Sequence, residues 1–253
     1  MRTLYQFPLS HFCEKARWML DHKELDFVAQ NLTPGVHRAF AQLKTGQNKL
    51  PILKDADRWI AGSTDIAMYL DEYYPEHPLL RHDSKLTEKI LEIDQLTIEL
   101  GRNVRRWGLV HMLNDGQSLD ILVGEKGYLK QFEKYSKPLL KMLMTKGYQL
   151  NAENIAQAKQ HIDHTVRILN EYLIDNQSGY MVGDRLSLAD IAVCSMLAPL
   201  LQISSTPWEV ETDHPVSDEF LAYQSELLAL PLGQYIQRIY KSERCARVDW
   251  RGV

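Results

Sequence analysis

Two short apolar runs, residues 3–7 and 25–28, flank an amphipathic stretch over residues 11–23, and that order leaves the chain few ways to fold. A strand, a helix and a second strand joined by tight connections close as a parallel pair with a right-handed crossover. Within the helix, Phe12, Ala16, Met19 and Leu20 share one face. Residues 34–43 read as a weaker helix opened by Pro34, where the missing N–H does no harm. Residues 51–54 and 58–60 flank Asp55-Ala56-Asp57 and predict a hairpin. Residues 63–74 predict a third helix, ended by Pro75 and Pro78. The expected order is βαβ followed by αββα.

After residue 76 the strand signals fade. Residues 77–84, at the end of a stretch holding two prolines and two histidines, read as a linker between a domain at 1–76 and another at 85–253. Leu86, Ile90, Ile93, Leu96, Leu100 and Val104 repeat at helical spacing, predicting a helix over residues 85–114. Residues 119–144, 152–175 and 188–201 are also helical by period, and residues 218–240 hold two shorter helices. Ser187-Leu188-Ala189-Asp190 matches a capping box, a folding element rather than a site. The expected fold is an α/β domain followed by an all-helical one.

Composition narrows the function classes. Apolar residues make up 45% of the 253 and charged residues 25%, as in a soluble globular protein. A net charge of −4 argues against a general nucleic-acid binder. Three widely spaced cysteines, at 13, 194 and 245, cannot form a secreted disulfide framework and suit a reducing cytosol. No secretory signal pattern and no membrane-spanning apolar run is visible, so a cytoplasmic protein without membrane or nucleic-acid partners is expected. His161 and His164 lie three apart on a helix, but no further ligand set completes a metal site. No phosphate-cradling glycine motif is present.

Chemistry concentrates where the first strand gives way to the first helix. Ser10-His11-Phe12-Cys13 sits there, the position of the CxxC pair in thioredoxin, with the first cysteine replaced by serine. That replacement points away from disulfide exchange by the protein itself and towards another molecule's thiol. From the residues alone, Ser10 is either a helix N-cap or a hydrogen-bond donor to sulfur. Cys13 is either a small buried hydrophobe or a reactive thiol.

Four landmarks then carry a resemblance to the cytosolic glutathione S-transferases across both domains. They are Ser10 to Arg17, Lys49-Leu50-Pro51-Ile52-Leu53, Ser63-Thr64-Asp65-Ile66-Ala67-Met68-Tyr69-Leu70, and Gly183-Asp184-Arg185-Leu186-Ser187-Leu188-Ala189-Asp190. The resemblance implies a thioredoxin-like domain, a helical domain, a homodimer, and glutathione as co-substrate with a small electrophile as second substrate. It makes Ser10 the residue that activates sulfur. It implies a cis Leu50–Pro51 bond, turning the backbone of Leu50 towards the tripeptide, with Lys49 at the glycyl carboxylate. Ser63 and Thr64, at a helix N-terminus, would hold the γ-glutamyl carboxylate. Relatives carry Glu or Gln before that serine, whereas this chain has Gly62; Asp65 is the candidate replacement for the amino group. The second substrate is expected against residues 102–111, near Arg102, Arg106 and His111. Two rival readings are a thiol transferase built on Cys13 and a non-catalytic binding module.

Overall fold

A computed structural model describes residues 1–115, 117–124, 128–209 and 216–253. The first unit contains β1 (Arg2–Gln6), α1 (His11–His22), β2 (Phe27–Asn31), α2 (Val36–Thr45), β3 (Ile52–Asp55), β4 (Arg58–Ala61) and α3 (Ser63–Tyr73). Helices follow: α4 (Ser84–Asp115), α5 (Gln117–Val123), α6 (Tyr128–Gln131), α7 (Glu133–Gly147), α8 (Ala152–Asp175), α9 (Leu188–Leu201), α10 (Asp218–Ala229) and α11 (Pro231–Glu243).

The sheet order is β2-β1-β3-β4. The β1–β2 pair is parallel, with Arg2 opposite Phe27, as the crossover rule requires. Strand β3 runs antiparallel to both β1 and β4, placing Ile52 beside Tyr5 and Ala61. This is a thioredoxin-like domain, followed by a helical one.

Strand β2 begins two residues later than its apolar run. Glu24 adopts a left-handed φ of 54° and the Leu25 N–H returns to the Leu20 carbonyl at 3.0 Å. Leu25 therefore closes α1 instead of opening the strand. The single helix expected over residues 119–144 is broken into α5, α6 and α7; Gly124, at φ 73°, ends α5.

Helix α9 is buried from Leu188 to Leu201 and packs against α4 on one side and α1 of the first domain on the other. Its capping carboxylate, Asp190, accepts the backbone N–H groups of Ser187 and Met181 at 2.7 Å each and the Ser187 hydroxyl at 2.6 Å. The chain then returns to the first domain. Arg244 pairs with Glu14 and Asp21 of α1 at 2.7 Å each, and the backbone of Val253 pairs with the free edge of β2 through Ala29 and Asn31. An edge strand is thus covered rather than left as an open template.

Candidate functional site

The sheet register collects the predicted positions at one end. Strand β1 runs towards Ser10; β3 enters beside its far end, so Leu50 precedes the Tyr5–Ile52 pair; β4 leaves beside the same pair into Gly62 and Ser63. The Gly62 N–H donates to the Pro51 carbonyl at 3.0 Å, tying the last two together. The Leu50–Pro51 bond is cis, and both ladders begin at Ile52, leaving the Leu50 backbone outside them.

Ser10 is the N-cap of α1, with extended φ and ψ, and its Oγ accepts the Cys13 N–H at 3.3 Å. Because that bond uses an oxygen lone pair, the hydroxyl proton remains able to donate. Ser10 is half-buried, whereas Cys13 is completely buried. Burial pushes the Cys13 thiol up, against the opposing pull of the Ser10 hydroxyl, the Phe7 backbone and Arg17. A thiol so placed stays protonated at neutral pH.

Helix α3 opens at Gly62, whose φ of 99° suits glycine. A Cβ at this position would lie 3.5 Å from Asp65 Oδ2, so the Asp65 carboxylate borders the space where a side chain at 62 would begin. Ser63 is buried and Asp65 exposed in the first turn. The first N–H groups of this helix have no acceptor within it. The Thr64 hydroxyl donates to Asp94 Oδ2 of α4, in the second domain, at 2.6 Å, and buried Lys15 pairs with the same carboxylate. Only the backbone of Thr64 remains available at the helix end. Lys49 is exposed, just before Leu50.

The expected second-substrate residues diverge. Arg102 is exposed and ion-paired with Glu99 one turn earlier. Arg106 donates its Nε to the Tyr148 carbonyl at 3.2 Å. His111 packs tilted against Trp107, with centroids 4.4 Å apart, and shares a 2.7 Å hydrogen bond with Ser217 at the start of α10. It belongs to the packing of the helical domain. Arg102 is thus engaged within α4 itself, Arg106 with the residue that follows α7, and His111 with the residue that precedes α10.

Of the three arginines on α4, the one that stands beside α1 is Arg105. Gly101 lies against the start of α1: a Cβ there would meet Met196 Sδ, Phe12 Cζ at 2.9 Å and His11 Nε2 at 3.1 Å. The Gly101 carbonyl receives His11 Nε2 at 2.8 Å, so that nitrogen carries the ring proton. Burial lowers the His11 pKa to about 3, Arg105 adds to the fall, and the Gly101 bond opposes it. One turn after Gly101, the Arg105 guanidinium stands 5.9 Å from the Phe12 ring and 4.5 Å from the Tyr148 ring. The sequence marks a cluster of three arginines; which one faces α1 depends on helix phase, set by the close approach at Gly101. Among the described residues, no group of three or more His, Cys, Asp and Glu side chains could hold a metal ion, and no helix is long and apolar enough to cross a membrane.

Comparisons with known proteins agree with this layout. A family model for the glutathione S-transferase N-terminal domain matches residues 4–78, and one for the C-terminal domain matches residues 134–222. Glutathione S-transferase 1 of Dianthus caryophyllus is 29% identical over 229 residues, 87% of each chain. The beta-etherase LigF of Sphingobium sp. strain SYK-6 has a similar structure, with a TM-score of 0.59 at 18% identity over 94% of this chain and 98% of that one. A glutathione S-transferase from Methylobacterium radiotolerans, solved with glutathione sulfonate, gives a TM-score of 0.56 at 20% identity over 93% and 94%. With both domains of one family matched in order across more than half of its length, the chain belongs to the glutathione S-transferase family.

Proposed function

We propose that this protein is a glutathione transferase of serine type, in which Ser10 stabilises the thiolate of bound glutathione for attack on an electrophilic carbon. The observation that carries the serine assignment is the contrast within one helical turn. Ser10 is half-buried with a donor proton to spare, while Cys13 is sealed in the core with its pKa raised. The family supports glutathione as co-substrate, as does the complex of the Methylobacterium relative with glutathione sulfonate.

The free thiol is mostly protonated at pH 7, with a pKa near ~8.5 for cysteine. A hydroxyl donor and the positive end of α1 both favour the anion. The thiol proton passes to solvent; Ser10 donates a hydrogen bond and is not the base. The unpaired backbone of Leu50 supports antiparallel pairing with the cysteinyl unit. The free N–H groups of Ser63, Thr64 and Asp65 suit the γ-glutamyl carboxylate. Asp65 then faces the ligand's amino group in place of a side chain at Gly62, and Lys49 meets the glycyl carboxylate. The sulfur attacks carbon, forming the C–S bond as the leaving group departs with its electron pair. We further assign a homodimer and a cytoplasmic setting, domains spanning residues 1–76 and 85–253, and no metal.

Glutathione-affinity retention followed by conjugation assays tests this reading. Wild type should be retained and turn over 1-chloro-2,4-dinitrobenzene; Ser10→Ala should lower turnover by ~10²–10³-fold and Cys13→Ala should spare it in the folded protein. Loss of glutathione-dependent disulfide reduction in Cys13→Ala alone would establish the thiol-transferase reading instead. The absent side chain at Gly62 favours the second alternative, a binding module without catalysis. Wild type that neither binds glutathione nor turns over any electrophile would establish that one.

A further inference from the structure

We propose that Arg105 is the specificity-determining residue of the second-substrate site, and that the site selects electrophiles bearing a carboxylate. The inference rests on the glutathione transferase reading and extends it to the second substrate. Three observations carry it. The first is the absence of a partner. Among the described residues no carboxylate pairs with Arg105, its Nε is buried without a hydrogen-bond acceptor, and its contacts are the two aromatic rings. Nearby cations are otherwise engaged, Arg102 with Glu99 and Arg106 with the Tyr148 carbonyl.

The second is position. Arg105 follows by one turn the glycine that touches His11 and Phe12, and those residues directly follow Ser10. A group docked on this guanidinium therefore lies beside the turn that holds the sulfur. The third is the frame. Phe12 and Tyr148, both half-buried, lie under the guanidinium, so a planar electrophile carrying its charge at one end would meet aromatic surface beside the cation. A largely buried cation without a counter-ion is costly, and rings replace only part of its lost hydration. A carboxylate would complete it through paired N–H···O bonds in the fork geometry that arginine offers.

The test uses a pair of substrates that differ only in the group at the remote end, anionic in 4-chloro-3-nitrobenzoate and neutral in its methyl ester. In both, the glutathione sulfur bonds to the ring carbon bearing chlorine, the C–Cl bond breaks and chloride leaves with its electron pair. The thiol proton goes to solvent. The quantity read is the ratio of kcat/KM for the acid to that for the ester, which cancels any general loss of activity. Arg105→Gln should lower this ratio by ~10- to 100-fold, the range spanned by a charge-assisted hydrogen bond. Arg105→Lys, with the charge but without the fork, should fall between. An unchanged ratio in Arg105→Gln overturns the proposal. So does a loss of glutathione affinity by calorimetry at constant ratio, which would assign the arginine to the tripeptide.

If wild type turns over neither compound, glutathione retention and turnover of 1-chloro-2,4-dinitrobenzene show separately whether the transferase reading has failed. Calorimetric binding of 4-nitrobenzoate then decides: binding to wild type weakened in Arg105→Gln supports the anion site. Equal binding, or none to wild type, overturns it. Thermal melts of both variants establish that each is folded.

Discussion

Ser10 and Cys13 sit one helical turn apart, yet Ser10 is half-buried whereas Cys13 is completely buried. Spacing alone could not rank them, because an N-cap serine and a thiol-binding serine look alike in sequence; burial separates them. Ser10→Ala should reduce kcat by ~10²–10³-fold, the cost of one donor at a developing anion, with little change in the binding of S-methylglutathione. Equal losses in both would indicate that the hydroxyl only shapes the turn. The same scale explains why the sequence shows Arg102, Arg105 and Arg106 as one basic patch without ranking them. Three arginines within five residues are equivalent until helix phase is known, and phase here depends on what Gly101 touches. Thr64 was legible as a residue at a helix N-terminus. That its hydroxyl is drawn to Asp94 depends on a residue thirty positions away.

Among the elements, α8 and α9 follow their helical periods to the residue, and side-chain caps fix their starts. Asn151 accepts the Asn154 N–H, and Asp190 accepts the Ser187 N–H. Strand β2 was displaced because its beginning is decided by the helix end at Glu24 and by its pairing with β1, neither visible in its apolar run. Gly101 tests how closely α4 must approach α1. Gly101→Ala places a methyl within 3.1 Å of both Phe12 and His11, beside Met196, and should cost ~1–3 kcal/mol in urea denaturation. A neutral effect would mean that the interface is looser than its contacts imply. Asp190→Ala should cost more, ~2–4 kcal/mol, since it strands the buried N–H groups of Ser187 and Met181.

Across the whole molecule, buried charges join the domains. Lys15 of α1 meets Asp94 of α4, and Arg244 beyond α11 returns to Glu14 and Asp21. Burial alone would raise the Glu14 pKa, but Arg244 and Arg17 bring it down to about 2. Its folded pKa lies below its unfolded one, so this stabilisation is complete above pH ~4.5 and lost as pH falls towards 2. His11, depressed to about 3, works in the same direction over pH 6.5 to 3, because protonation favours the unfolded chain. Urea midpoints should therefore fall on acidification from pH 7 to 3.5. His11→Gln, which retains a donor for the Gly101 carbonyl, should flatten the upper part of that fall. A slope unchanged in the variant would exclude His11 as its source. The joined domains hold α1 steady at the point where Ser10 meets its proposed ligand. The most direct test of that role is a pH titration of the thiolate ultraviolet absorbance of bound glutathione. Wild type and Cys13→Ala should both show a thiol pKa at least one unit below that of free glutathione, and Ser10→Ala should return it to the free value. A depressed pKa that survives in Ser10→Ala, or vanishes in Cys13→Ala, would contradict the account.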